Sequence, residues 1–156
     1  MTDGQIEELI AIPKLLPKRN WFCMREEFGY MRLDVSLESD SKYRFFLKGR
    51  CSLVYPVDFS AILTVKLPSG ESLNLIRCNG HHFHRNTMEK ELLGDVCHLH
   101  KATERYISKG GKSEGYAVEA SSCYNTFEGA LSFLMKMANI SSPEDEKGQQ
   151  EIQFSE

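Results

Sequence analysis

The sequence predicts an α+β fold: an antiparallel sheet of about five strands, the usual size for a small domain, with an N-terminal and a C-terminal helix packed on it. Three observations carry this. Apolar residues recur at helical spacing near the N-terminus, alternate with period two from about residue 20, and return to helical spacing after residue 125. The alternating stretches are separated by hairpin turn chemistry. No repeat or linker interrupts residues 1–140, and 156 residues suit one domain.

The first helix is expected from Thr2 to about Pro13. Thr2 and Gln5 form a capping-box pattern, Glu7 and Glu8 suit the positive helix end, and Ile6, Leu9 and Ile10 make an apolar stripe that Pro13 and Pro17 end. In the stretch from Met31, the residues Met31, Leu33, Val35 and Leu37 face one way and Arg32, Asp34 and Ser36 the other, as in a half-buried strand. Glu38 to Ser41 read as a turn, and Lys42 to Lys48 as the returning strand. Ser60 to Leu67 and Glu71 to Cys78 form a second pair joined by Pro68-Ser69-Gly70, where proline presets a turn and glycine permits positive φ. Residues 79–95 read as a polar connection. Val96 to Lys101 is another strand, and Gly115 to Ala120 a further short one. The last helix begins at an Asn125 cap and repeats Phe127, Ala130, Leu131, Leu134 and Ala138 up to about Asn139.

Charge and cysteines narrow the class. The chain carries −3, but residues 142–156 hold five acids against one base, −4, which leaves +1 for residues 1–141. The body, 1–141, is therefore a near-neutral domain, and 142–156 an acidic tail expected to be disordered. Such a body does not suit a dedicated, strongly basic DNA-binding domain, although a small basic cleft is compatible with it. No apolar run is long enough for a bilayer-spanning helix and no secretory signal is visible, so the expected setting is cytoplasmic, with no membrane partner. Cys23, Cys51, Cys78, Cys97 and Cys123 lack any C-x-x-C pair and read as reduced thiols at or near the core.

The histidines carry the chemistry. All five lie between residues 81 and 100. His98 and His100, two apart on a strand, project from one face with Leu99 on the other, and His82 and His84 have the same relation wherever their segment is extended. If residues 85–95 fold back, the two pairs meet in one exposed or cleft-lining pocket. Such a pocket serves two chemistries. Three neutral imidazoles with a water make an open zinc site, with His82, His84, His98 and His100 as the candidate ligands. Without a metal, a neutral and a protonated imidazole act as base and acid in phosphodiester cleavage, with the same four residues as catalytic candidates. Arg77, Arg85, Lys101, Arg105, Lys109 and Lys112 lie in or beside the region, and Gly110-Gly111 lets a backbone approach a phosphate. The plain alternatives are hydrogen-bonded surface histidines and a solvated basic helix face.

A set of ordered motifs accompanies the cluster: Ile12-Pro13-Lys14 after the first helix, Asp58-Phe59-Ser60 before a strand, Leu75 to His81 with Asn79-Gly80-His81, His98-Leu-His-Lys-Ala-Thr-Glu104, and Tyr124-x-x-Phe127-Glu-x-Ala-Leu ending in Asn139-Ile140. In these the chain resembles an uncharacterised bacterial and prophage-associated family, a domain of unknown function, over about residues 5–140. His81-His82 stands where that pattern has Pro-His. The resemblance implies a shared fold and a histidine-centred site, and its mobile-element setting beside toxin or defence loci implies a toxin-type nuclease or an anti-defence protein.

Three functions compete. The first is a small phosphodiester hydrolase, RNase-like, with RNA as its partner and no required cofactor. Its catalytic residues are His98 and His100 with His82 or His84, and its substrate-binding residues Asn79, Arg85, Lys101, Thr103, Glu104 and Arg105. The second is a non-enzymatic binding protein, an antitoxin or an inhibitor of a host defence or toxin protein. The third is a zinc-binding structural module on His82, His84, His98 and His100.

Overall fold

A computed structural model describes residues 1–18 and 20–143 of the chain. The first helix, α1, spans Asp3–Ala11 and its capping box forms: the Thr2 hydroxyl accepts from Gln5 N at 3.1 Å while Gln5 Oε1 accepts from Thr2 N at 2.8 Å. Ile6, Leu9 and Ile10 are buried, as their spacing predicts. Past Pro13, a two-residue strand β1 (Lys14–Leu15) pairs in parallel with β9 (Ile140–Ser141) near the other end of the domain. Lys14 is buried between them, and its ammonium donates to the carbonyls of Ile10, Ile12 and Ala138 at 2.7–2.8 Å. Burial pushes its pKa down to about 8.

Among the described residues the main sheet has seven strands, against the five or so expected, and every neighbouring pair is antiparallel. They are β2 (Arg25–Glu27), β3 (Tyr30–Leu37), β4 (Arg44–Ser52), β5 (Phe59–Lys66), β6 (Ser72–Asn86), β7 (Glu91–Lys101) and β8 (Ala117–Glu119), arranged in sequence order. The short edge strands make up the difference; β2 has three residues, none of them buried, and so carries no apolar alternation to betray it. A short helix α2 (Glu104–Ser108), capped by Thr103, lies between β7 and β8, and α3 (Phe127–Met137) follows β8. The cap of α3 is Thr126, whose side chain accepts from Gly129 N, one residue after the Asn125 expected from sequence.

One face of the sheet, built from Leu33, Val35, Leu37, Phe45, Leu47, Ala61, Leu63 and Val65, packs with α1 and α3 in the hydrophobic core. Each such Val, Leu or Phe side chain contributes roughly 1.5–3 kcal/mol through burial. Gly49 belongs to this face: a Cβ there would stand 2.8 Å from Phe127 Cζ, so α3 sits on the sheet only because position 49 has no side chain.

The segment 79–95 is the main departure from the sequence reading. It is not a loose connection but the outer half of a long β6–β7 hairpin, with its turn at residues 87–90. The ladder is broken between Asn79 and His82 and again between His82 and His84. Such bulges bend a strand and raise its twist. The hairpin accordingly curls back over its own base. The Asn86 carboxamide donates to Ala117 O and accepts from Ala117 N, each at 2.8 Å, although Ala117 is the β8 partner of His100 at the hairpin's other end. Tyr106 of α2 holds the tip, accepting from Met88 N and donating to Glu89.

Cys78 and Cys97 are buried, Cys51 half-buried, and Cys23 and Cys123 exposed; all five are free thiols. Of the acidic tail expected from Ser142 onward, residues 144–156 lie outside the described residues.

Candidate metal centre

The curled hairpin turns an alternating strand into a cluster. His98 and His100 share the inner face of β7, and the two bulges in β6 bring His82 and His84 over them. Ring centroids lie 4.3 Å apart for His82 and His98, 4.6 Å for His84 and His100, 4.9 Å for His98 and His100, and 5.5 Å for His84 and His98. His81 stays outside the cluster, its backbone N–H donating to Val57 O. Gly80 permits the arrangement, since a Cβ there would collide with the carbonyl oxygen of Val57.

The sequence placed these rings on an exposed or cleft-lining face, and the structure leaves only one of them exposed. His98 is 0% and His100 6% exposed, His84 is half-buried, and His82 alone of the four is exposed. The covering layer is the hairpin itself, which period-two reasoning cannot fold back onto its own sheet.

Hydrogen bonds set the tautomers of three rings. His98 Nδ1 lies 3.0 Å from Val96 O and His100 Nδ1 lies 2.7 Å from Glu114 O, and both partners are carbonyls that only accept. His84 Nε2 lies 2.9 Å from Gly115 O and 3.1 Å from Asn86 Oδ1, both again acceptors; Asn86 Oδ1 is fixed as an oxygen because it also accepts from Ala117 N. Each ring therefore places its one proton on that nitrogen, leaving Nε2 of His98, Nε2 of His100 and Nδ1 of His84 as proton-free acceptors. One ring nitrogen from each of His84, His98 and His100 lies within 4.8 Å of the others.

Burial keeps His98 and His100 neutral. Desolvation lowers the His98 pKa to about 4 against the raising effect of the Val96 carbonyl, and His82 and His84 lower it further. Desolvation, then His98 and His84, lowers that of His100 to about 3. His82 is also lowered, first by burial and next by His84. Neutral imidazole with a free lone pair is the metal-binding form, and a ring whose other N–H is held by a carbonyl is the usual outer support of a histidine ligand.

A second tier braces the centre. Tyr124 Oη lies 2.9 Å from His98 O and 3.0 Å from Asn79 O, tying the bulged strand to the segment before α3. Glu114 is buried, and its carboxylate accepts from Arg77 Nη2 and Asn74 Nδ2, each at 3.0 Å, and from Ser113 Oγ at 3.1 Å. Glu114, Asn86, Tyr124 and Gly115 were not among the sequence candidates. Nothing local marks them, because each acts through a residue at least 14 positions away.

The substrate-binding candidates scatter. Asn79 is buried at the centre, accepting from Ser60 Oγ at 2.6 Å, with its Nδ2 at a marginal 3.5 Å from His98 Nε2. Arg85 is exposed and lines a groove of about 430 Å³ beside His84 with Lys109, Lys112 and Gly110-Gly111. Lys101 is on the opposite face and pairs with Glu7 of α1. Thr103 caps α2, Glu104 N donates to Asp3, and Arg105 pairs with Glu89 at 3.4 Å. No helix among the described residues is long and apolar enough to cross a membrane.

No family model, no curated protein and no solved structure matches the chain.

Proposed function

We propose that the protein is a small metal-dependent hydrolase built on a three-histidine centre, with His84, His98 and His100 as ligands and phosphodiesters as the substrate class. The observation that carries this reading is the set of three carbonyl-held tautomers, together with one ring nitrogen of each residue lying within 4.8 Å of the others. Surface histidines have no need of such fixed protons. A zinc-type ion held by three imidazoles supplies Lewis acidity, bringing the pKa of a water in its remaining position toward about 7. His82, the exposed ring of the four, stands at the solvent side, where it is suited to exchange a proton with substrate.

The metal-free scheme with His98 and His100 as base and acid is less well supported. An acid must be protonated near neutral pH, and burial holds both rings neutral far below it. A second reading, a structural zinc module, draws support from the complete burial of His98 and from the 4.3 Å approach of His82, which would then close the shell as a fourth ligand.

The test is metal analysis of untagged protein together with cleavage of a simple phosphodiester and a mixed RNA, with and without chelator. The hydrolase reading expects about one equivalent of metal, lost in His84→Ala, His98→Ala and His100→Ala, and chelator-sensitive cleavage. Retention of metal by these variants overturns the centre. Tight metal without cleavage, released by His82→Ala, selects the structural module, and cleavage indifferent to chelator returns the metal-free scheme.

A further inference from the structure

On the sheet face opposite the helices, Asp34, Ser36 and Arg44 are exposed and Arg32, Phe46, Lys48, Arg50 and Lys66 half-buried, while Ser60 and Thr64 on β5 are buried, and its side chains follow a pattern. Residues directly opposed across strands share a face, so two rows can be traced across the sheet into the histidine centre. One runs Arg32, Arg50, Ser60, Asn79, His98, and the other Asp34, Lys48, Ile62, Arg77, His100. Beside them Phe46 lies opposite Ser36 and Thr64, and Arg44 opposite Lys66. Cations alternate with rings: Arg44 and Lys48 stand 5.7 and 5.9 Å from the centre of Phe46, and Arg32 and Arg50 stand 5.7 and 4.9 Å from that of Tyr30.

Acids do not balance this face. Asp34 is the carboxylate within the rows, Glu27 and Asp58 reach Arg32 and Arg50 from the margin at 4.0 and 3.7 Å, and Glu114 pairs with Arg77 at 3.0 Å. Arg44, Lys48 and Lys66 form no ion pair among the described residues. Nε of Arg32 and Nε of Arg77 are buried without a hydrogen-bond partner of their own, although Arg32 Nε lies 4.0 Å from Glu27 and the Arg77 guanidinium pairs with Glu114 through Nη2. In a chain of net charge −3, this concentration of cations is local.

We propose that this face is a binding platform for single-stranded nucleic acid, which it leads toward the exposed His82 side of the histidine centre. The inference rests on the hydrolase reading for its purpose, and on the face alone for its chemistry. Phosphates meet Arg44, Lys48 and Lys66, the cations of the face that no carboxylate pairs with among the described residues. Unstacked bases lie on Phe46 and Tyr30, a contact that paired, stacked bases of a duplex cannot make. Arg50 belongs to the row that ends at His98, whose ring lies 4.3 Å from that of the exposed His82, so the platform adjoins the rim of the centre.

The experiment measures binding of fluorescein-labelled oligo-U and oligo-dT 20-mers, a 20-base-pair duplex and poly-glutamate to the full chain, in chelator so that nothing is cleaved. The expectation is binding of at least one single strand, at least tenfold tighter than duplex, with affinity falling steeply in salt. Poly-glutamate should not compete. The charge reversals R44E, K48E and K66E combined should weaken binding at least tenfold with an unchanged melting temperature, and Phe46→Ala should weaken it severalfold with a smaller change in the salt slope. Unchanged binding in the triple variant, or equal binding of duplex or poly-glutamate, overturns the platform. His98→Ala separates the two ideas. If it abolishes metal binding but leaves oligonucleotide binding, the platform stands by itself. If the wild type holds metal and cleaves a small phosphodiester yet binds no oligonucleotide, the platform fails and the hydrolase reading survives.

Discussion

His100 Nδ1 donates a 2.7 Å hydrogen bond to the main-chain oxygen of Glu114, whose own carboxylate is buried against Arg77, the cross-strand neighbour of His100. One residue thus orients the ring through its backbone and neutralises the adjacent guanidinium through its side chain. Glu114→Ala should cost about 3 kcal/mol, because it leaves Arg77 partly buried and unpaired. It should also weaken metal binding roughly 10–100-fold by loosening the carbonyl that orients His100. Urea unfolding and a metal titration check the two effects. Loss of stability with unaltered metal affinity would show that the carbonyl does not depend on the carboxylate.

The four clustered histidines should not respond alike to substitution. His98→Ala and His100→Ala remove buried, hydrogen-bonded rings and should each lower stability by about 2 kcal/mol or more in metal-free protein. His82→Ala, at an exposed position, should change stability by less than about 0.5 kcal/mol. Equal effects at His82 and His98 would contradict the burial difference between them.

Acid should destabilise the metal-free protein well above the pH at which carboxylates titrate. In the fold His98 and His100 take up a proton only near pH 4 and 3, whereas in the unfolded chain a histidine does so near 6.5. The unfolded chain therefore binds more protons in that window. The contribution is complete above about pH 6.5 and is lost as pH falls through the window toward the folded values. At pH 5 each ring should cost about 2 kcal/mol relative to pH 8. Denaturant midpoints across this range measure it, and the slope should flatten in His98→Gln and His100→Gln. Equal slopes in wild type and variants would place the protons elsewhere.

Lys14 holds three carbonyls at the C-terminal ends of α1 and α3, where a cation complements the helix dipoles. Lys14→Met keeps the apolar stem but strands those carbonyls, and should lower stability by about 2–4 kcal/mol while leaving metal binding intact. A thermal melt together with a metal titration checks both halves.

The fold class was legible because burial writes itself into periodicity. The stripe of Ile6, Leu9 and Ile10, the alternation of Leu33, Val35 and Leu37, and the spacing of Phe127, Ala130, Leu131 and Leu134 all face the core that their patterns predict. The strand face shared by His98 and His100 was legible for the same reason. The course of residues 79–95 was not, since its buried side chains, Asn79 and Asn86, are polar and are satisfied by hydrogen bonds that leave no apolar period. Two bulges and a side chain imitating a backbone pair at Ala117 bend that hairpin over its base. The sequence by itself determined which residue types are available to the cluster; only the tertiary structure decided that ring nitrogens of His84, His98 and His100 come within 4.8 Å of one another, because ring orientation and burial are set by carbonyls at Val96, Glu114 and Gly115, which the curl of the chain brings into reach.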